Sequence, residues 1–243
     1  MLLQMTKCLF IMSLVATFGP VARSSAAQVS SLALPEVELW GVQEIVLNSA
    51  NVPANPFKNV KLQADFSSGD EVIKVDGFYD GGSTWKIRFM PNLQGEWRFK
   101  TISSEQSLDG KEGRFFVDPP SPDNHDPVNV SATFHFSYAD STPYFLLGTT
   151  SYNWLNRDGA LQERTLATLR NMPFNKLRFG LFPKWFVFNR VEPLMFPYVR
   201  KDDNSFDLER FDPRFFANVE KHVRELDMMS IQADIILFHP YDK

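Results

Sequence analysis

From Val37 onward, apolar and polar positions alternate in short segments. Val60, Leu62, Ala64 and Phe66 are interleaved with Lys61, Gln63 and Asp65; Trp85, Ile87 and Phe89 with Lys86 and Arg88; Trp97 and Phe99 with Glu96, Arg98 and Lys100. A period of two sends one set of side chains into a core and the other into water, so each segment is predicted to be a strand. Gly81-Gly82-Ser83, Asn92 to Gly95 and Asp109-Gly110 supply turn chemistry between them. Further strands are expected near Glu38 to Leu47, Val72 to Phe78 and Arg114 to Val117. The total of about six suits an immunoglobulin-like β-sandwich, and residues 35–119 are assigned to it. Trp85, Trp97 and Phe99 fall on the apolar side of the alternation, which favours a packed core. Trp40 and Tyr79 are the candidates for an aromatic sugar-binding platform on this domain.

The pattern changes after Pro119. Residues 120–127 lie in a run of Pro, Ser, Asp, Asn and His that neither continues a sheet nor starts a long helix, and they read as a linker. Asp123, His125 and Asp126 are too close together in the chain to converge on one ion and are read as solvated. In residues 128–243, Thr133 to Tyr138 and Tyr144 to Gly148 flank a turn at Ala139 to Pro143, so a hairpin is expected first. Three stretches follow one plan: Tyr144 to Trp154, Asn175 to Trp185 and Gln232 to Asp242 are apolar strands that break into polar and aromatic residues. Leu161, Thr165, Leu166, Leu169 and Met172 follow helical spacing up to Met172-Pro173. A second helix is marked by Phe216, Val219, Val223, Leu226 and Met229, with Asp212-Pro213 as N-cap and first-turn proline. Strand, helix, strand, helix, strand describes a parallel sheet with its site at the carboxyl ends of the strands. The overall class is multidomain, β followed by α/β. Arg178, between Leu177 and Phe179, is expected to be buried and to need a carboxylate or a substrate oxygen beside it. The insertion from Lys184 to Arg210 is too long for a simple connection and falls where such sheets build sites. Three strands with two helices leave the third strand uncovered, so residues 128–243 are expected to be the N-terminal part of a larger β/α domain, the alternative being a very small sheet completed by a partner.

Composition adds a leader and removes several chemistries. Lys7, the apolar run Cys8 to Phe18, and Ser24-Ser25-Ala26-Ala27 read as a signal peptide over residues 1–27, which implies a secreted or periplasmic protein. The apolar run, about eleven residues, is too short to span a bilayer. Cys8 is the single cysteine, so a mature chain would carry no disulfide, thiolate nucleophile or cysteine metal site. Losing Lys7 and Arg23 and no acid takes the formal charge from −4 to −6. That balance gives no footprint for nucleic acid or, after signal cleavage, for a membrane, and it permits a neutral sugar. No P-loop, zinc signature, dinucleotide fingerprint or Ser/His/Asp order is present, so no cofactor is expected.

Four stretches carry a family resemblance: NPFKNVKLQADFSSGDEVIKVDGFYDGGSTWKIRFMPNLQGEWRFKT, YFLLGTTSYNW, NKLRFGLFPKW and ADIILFHPYD. With them the chain resembles exported bacterial proteins that join an immunoglobulin-like DUF5060 domain to a TIM-barrel glycoside hydrolase domain related to DUF4038 and the apiosidase-like enzymes. The resemblance implies a carbohydrate substrate and an eight-stranded barrel of which this chain holds the first three strands. It also implies that the two catalytic Glu residues belong to strands four and seven, so the chain is expected to be a fragment with no catalytic residue of its own. What it would retain is substrate contacts. Arg178 matches a strand-two arginine that supports the nucleophile, and His239 a polar residue that ends strand three. Tyr152, Trp154 and Trp185 would offer ring faces, with Lys184 and Asp242 as further contacts. Each has a structural alternative: an ion pair for Arg178, a core position for His239, packing for the aromatics. Glu192, Asp202 and Asp203 are read as solvated. At the level of the whole chain, the alternatives are a noncatalytic carbohydrate-binding or scaffold protein, or a nonfunctional gene fragment.

Overall fold

The computed structural model describes residues 32–125, 127–184 and 190–238. The expected signal peptide lies outside the described residues. The N-terminal region comprises β1 (Leu32–Ala33), β2 (Val37–Glu38), β3 (Gln43–Asn48), the short helix α1 (Pro56–Asn59), β4 (Leu62–Ser68), β5 (Glu71–Gly81), β6 (Thr84–Phe89), β7 (Gly95–Ser103) and β8 (Glu112–Asp118). These strands form one eight-stranded, nearly closed sheet in the order β1-β8-β7-β4-β5-β6-β3, with β2 also on β8. Strand β5 turns the sheet back on itself. Its first half pairs with β4 and its second half, from Gly77, pairs with β6. Gly77 stands where a side chain has no room: a Cβ there would lie 2.6 Å from Leu62 Cδ2 and 2.9 Å from Ile87 Cγ1.

The two limbs joined by β5 face each other across an aromatic core. Phe66 of β4 stacks on Phe89 of β6 with ring centroids 4.1 Å apart, and Phe89 lies 4.8 Å from Trp97 of β7. Trp85, Trp97 and Phe99 are buried, as their place in the alternation predicts. Trp40 and Tyr79 are partly buried against the same core. The strand expected from Glu38 is broken there: Gly41 N–H donates to Glu38 O and Trp40 takes a positive φ, so β3 starts at Gln43.

Residues after β8 are tied back to the N-terminal sheet. Ser121 N–H donates to Glu38 Oε2 at 2.6 Å, and Asn124 Nδ2 donates to Leu39 O at 3.1 Å. The Ser121 N–H holds the Glu38 carboxyl below its ordinary range, against the opposing effect of burial. His125 Nδ1 lies 2.7 Å from Asp140 Oδ2, so His125 is paired and not simply solvated; Asp126 lies outside the described residues.

The C-terminal region opens with β9 (Asn129–Ser131) and β10 (His135–Ser137), an antiparallel hairpin. It lies upstream of the expected one, because β10 pairs back onto β9 and meets the following segment only at the Ser137–Pro143 bridge. Next come β11 (Gly148–Thr150), a 3-10 turn at Trp154–Asn156, α2 (Gly159–Leu169), β12 (Lys176–Gly180), β13 (Tyr198–Arg200), β14 (Phe206–Phe211), α3 (Pro213–Asp227) and β15 (Gln232–Ile236). Strands β11, β12 and β15 form a parallel sheet in that order. β11 begins at Gly148, four residues after Tyr144, and leaves Phe145, Leu146 and Leu147 exposed. The long insertion contains the antiparallel pair β13–β14. Both helices start at an aspartate cap: Asp158 Oδ1 accepts from Leu161 N–H, and Asp212 Oδ1 from Arg214 N–H. α2 ends at Leu169, short of Met172, which is half exposed.

Leu177 and Phe179 of β12 are fully buried with Leu166 and Leu169 of α2 and Phe215, Val219 and Leu226 of α3. The residues between them point the other way. Arg178 is therefore exposed, in contrast to the burial expected for it: a strand covered by helices on one face sends alternate side chains to the opposite one. Among the described residues, no helix is long and apolar enough to cross a membrane.

Candidate functional site

The carboxyl ends of β11 and β12 are stitched together by two backbone hydrogen bonds and one from a side chain. Ser151 N–H donates to Arg178 O at 2.9 Å, Gly180 N–H to Tyr152 O at 2.8 Å, and Asn156 Nδ2 to Leu181 O at 3.3 Å. A side chain at Gly180 would press on the Tyr152 carbonyl at 3.1 Å, so the small residue permits the close approach. The stitched ends support a cleft of about 190 Å³ lined by Asn153, Asn156, Lys184, Arg190, Glu192 and Phe196, with prolines at its margins. Amide, ammonium and guanidinium donors beside an aromatic ring make a lining that can hydrogen-bond hydroxyl groups and cover an apolar C–H face. Among the described residues, Glu192 is the single carboxylate in that lining. It pairs with Arg200 at 3.6 Å and remains 80 % exposed, in keeping with a solvated acid at the rim.

A buried bracket holds the 3-10 turn that presents Asn153 and Asn156. The Trp154 ring lies 5.4 Å from Phe179 and 5.0 Å from His222, and its Nε1 donates to Gln162 O at 3.3 Å. Gln162 Nε2 donates to Leu155 O at 2.8 Å, which leaves its Oε1 facing His222 Nε2 at 3.0 Å. His222 Nδ1 lies 2.6 Å from Glu225 Oε2. α2, the turn and α3 thus share one closed polar network in an otherwise apolar core.

The residues singled out in the sequence separate accordingly. Lys184, on the connection after β12, lines the cleft; Tyr152, about half exposed, precedes Asn153 on the connection after β11 and is outside the cleft lining. Trp154 is 1 % exposed and has no free ring face, so the ligand contact expected of it is corrected to an anchoring role. Arg178 meets a carboxylate, but from a neighbouring strand: Nε and Nη2 donate to Asp234 Oδ2 at 2.9 and 2.8 Å. The pair lies in register with Thr150 on the sheet face turned away from the helices. Trp185, His239 and Asp242 lie outside the described residues. Asn153, Asn156 and Phe196 were missed by sequence reasoning, as was His222. The Asn pair at i, i+3 after a strand end was the visible signal; nothing in the sequence marked Phe196 or His222 out from core residues. Among the described residues, no group of three or more His, Cys, Asp or Glu side chains is arranged to hold a metal.

Residues 36–104 match DUF5060, a domain of unknown function. A Bacteroides vulgatus protein described as a "putative glycoside hydrolase" is 40% identical over 86% of this chain and superposes with a TM-score of 0.80. The chain spans 42% of that protein's length. A family 39 glycoside hydrolase from Bacteroides cellulosilyticus is 12% identical, over 85% of this chain and 32% of its own, with a TM-score of 0.25. A Bacteroides ovatus family 5 xyloglucanase, in complex with an XXXG heptasaccharide, is 11% identical over 84% of this chain and 43% of its own, with a TM-score of 0.20. Superpositions as loose as these last two carry no argument. No curated protein matches the sequence. The chain is thus related in structure to a glycoside hydrolase-like protein.

Proposed function

We propose that the chain is the carbohydrate-holding, N-terminal part of an exported glycoside hydrolase. In this reading the N-terminal sheet is an immunoglobulin-like sandwich. The parallel sheet supplies the first three β/α units of a TIM barrel of the DUF4038 and apiosidase-like kind. The observation that carries it is the 40% identity and TM-score of 0.80 to the Bacteroides vulgatus protein. The cleft's position supports it, because β/α sheets assemble their sites at the carboxyl ends of the strands. Glycoside hydrolysis takes two carboxylates, and the described lining offers Glu192 alone. Acid and nucleophile are therefore assigned to later strands of a fuller barrel, and the residues of this chain bind and orient the sugar.

The test is a panel of soluble oligosaccharides and polysaccharides, measured both for binding by retardation or calorimetry and for release of reducing ends. The expected result is binding without turnover, weakened about tenfold or more by Asn153→Ala or Lys184→Ala, in line with loss of one hydrogen bond to a ligand hydroxyl. Turnover by this chain alone would show that it contains the catalytic carboxylates and would overturn their assignment elsewhere. Failure to bind any member of the panel would remove the carbohydrate reading of the cleft.

A further inference from the structure

The N-terminal sheet meets the C-terminal region along two seams. In the first, Arg88 of β6 spreads its terminal nitrogens over Glu220 of α3, with Nη1–Oε1 at 2.8 Å and Nη2–Oε2 at 2.7 Å, while its Nε donates to Glu44 of β3 at 2.7 Å. The same guanidinium lies 5.0 Å over the Phe78 ring. The hydrogen bonds to Glu220, helped by those to Glu44, hold the guanidinium proton more tightly than usual although burial opposes them. A two-pronged guanidinium–carboxylate pair fixes direction as well as distance. In the second seam α1 and the residues before it meet β14. Asn55 Nδ2 donates to Glu209 O at 3.1 Å, Arg210 Nη2 to Ala54 O at 2.6 Å, Lys58 pairs with Glu209, and Phe57 meets Phe211 edge-on at 5.6 Å.

The contacts continue past the seam to the cleft. Phe211 stacks on Tyr198 of β13 at 5.2 Å. At the far end of that short strand, Arg200 lies 4.7 Å from the centre of the Phe196 ring and 5.3 Å from that of Phe206, and it pairs with Glu192. Phe196 and Glu192 form one wall of the cleft. From Phe57 to that wall every step is a packed ring, a strand pair or an ion pair.

We infer that the N-terminal sheet is the brace of the cleft. Phe57 and Phe211 are positioning residues, and so are Arg88 and Glu220 through α3, whose Phe216 meets Phe211 edge-on at 5.3 Å: together they fix the β13–β14 pair and through it the Glu192–Phe196 wall against which a carbohydrate would lie. Phe57 and Arg88 fall within the residues that match the domain of unknown function, so the inference gives that domain a task in this chain. The brace itself does not depend on what the cleft binds; only the ligand named for it rests on the function proposed above.

The test is hydrogen exchange on the whole chain, followed at residues 190–211 and, as an internal control, at β4 and β7. Glu220→Gln is expected to speed exchange of residues 190–211 about tenfold while β4 and β7 keep their protection, since local opening is separable from global unfolding. Glu220→Asp, which keeps the charge, should restore part of the loss. Phe57→Ala should loosen the same residues from the other seam. Adding Arg88→Gln to Glu220→Gln should do little more at residues 190–211, because the seam pair is already gone and the Glu44 bond also lost with Arg88 lies within the N-terminal sheet. In the same variants, affinity for the neutral oligosaccharides of the panel should fall in step with the lost protection. Exchange at residues 190–211 that is unchanged in both Glu220→Gln and Phe57→Ala overturns the brace, as does a wild-type β13–β14 pair with no protection at the shortest time. A wild-type chain that binds no oligosaccharide overturns the carbohydrate reading instead, and the exchange rates still decide the brace.

Discussion

In β4 of the N-terminal sheet, Leu62, Ala64 and Phe66 face a core closed by the opposite limb; in β12 of the parallel sheet, Leu177 and Phe179 face two helices while Arg178 stands on the open side. Both strands show the same period of two. In the first, the polar positions are solvent positions in the ordinary sense. In the second, the polar position belongs to the sheet face on which Thr150, Arg178 and Asp234 line up in register. Alternation reports which residues share a face, and the neighbouring elements decide what that face meets.

The largest effect expected from this contrast is at the closed core. Phe66→Ala removes a fully buried ring stacked on Phe89 and should destabilise the chain by about 3–5 kcal/mol in denaturant unfolding. A loss below about 1 kcal/mol would mean that the two limbs are not tightly packed. Gly77→Ala, where β5 passes from one limb to the other, should cost about 1–3 kcal/mol through the clash with Leu62 and Ile87. An unchanged midpoint would show that β5 can shift there. His222→Leu leaves Gln162 and Glu225 without a buried partner and should cost about 1–3 kcal/mol, followed most directly by tryptophan fluorescence because Trp154 lies against the imidazole. Arg178→Ala should cost less than about 1 kcal/mol, since the arginine side chain is 55% exposed. A cost as large as that of Phe66→Ala would show that the far face of the parallel sheet is covered in solution.

The smallest effect is on the acid limb of stability. Burial alone would raise the Glu44 carboxyl, but the hydrogen bond and charge of Arg88, then those of Lys86, bring it below its ordinary 4.5. Because the folded-state value is the lower one, this contribution is fully present above 4.5 and is lost as pH falls through the folded value. Glu44→Gln should accordingly flatten the fall of melting temperature on acidification, with little change near neutrality. An identical acid limb in the variant would assign the loss to other carboxylates.

How far the sequence reached follows from the same contrast. The alternation in β4, β6 and β7 located those strands and their buried aromatics, because local period and burial agree there. The order of strand, helix and strand in the C-terminal region was legible for the same reason, down to the Asp212-Pro213 start of α3. Arg178 was misplaced in depth, since one strand's pattern does not say which of its faces is open. Trp154 was misassigned because an aromatic at a strand end reads alike whether it turns toward a ligand or, as here, into the helices. The cleft itself was only partly visible. Lys184 was marked, but Phe196 reaches the cleft through a hairpin whose pairing no local pattern announced, and the Arg88–Glu220 pair joins residues 132 positions apart.

The tied segment after β8 adds a consequence for how the two regions find each other. With Ser121 held by Glu38 and Asn124 by the Leu39 carbonyl, the chain leaves the N-terminal sheet from a fixed point. A short tether anchored near its root confines the partner surfaces to a small volume, which corresponds to a local concentration on the order of millimolar. Closure of the Arg88–Glu220 seam is then a unimolecular event. Its equilibrium does not change with dilution, and a seam that opens transiently keeps its partner surfaces within reach of each other.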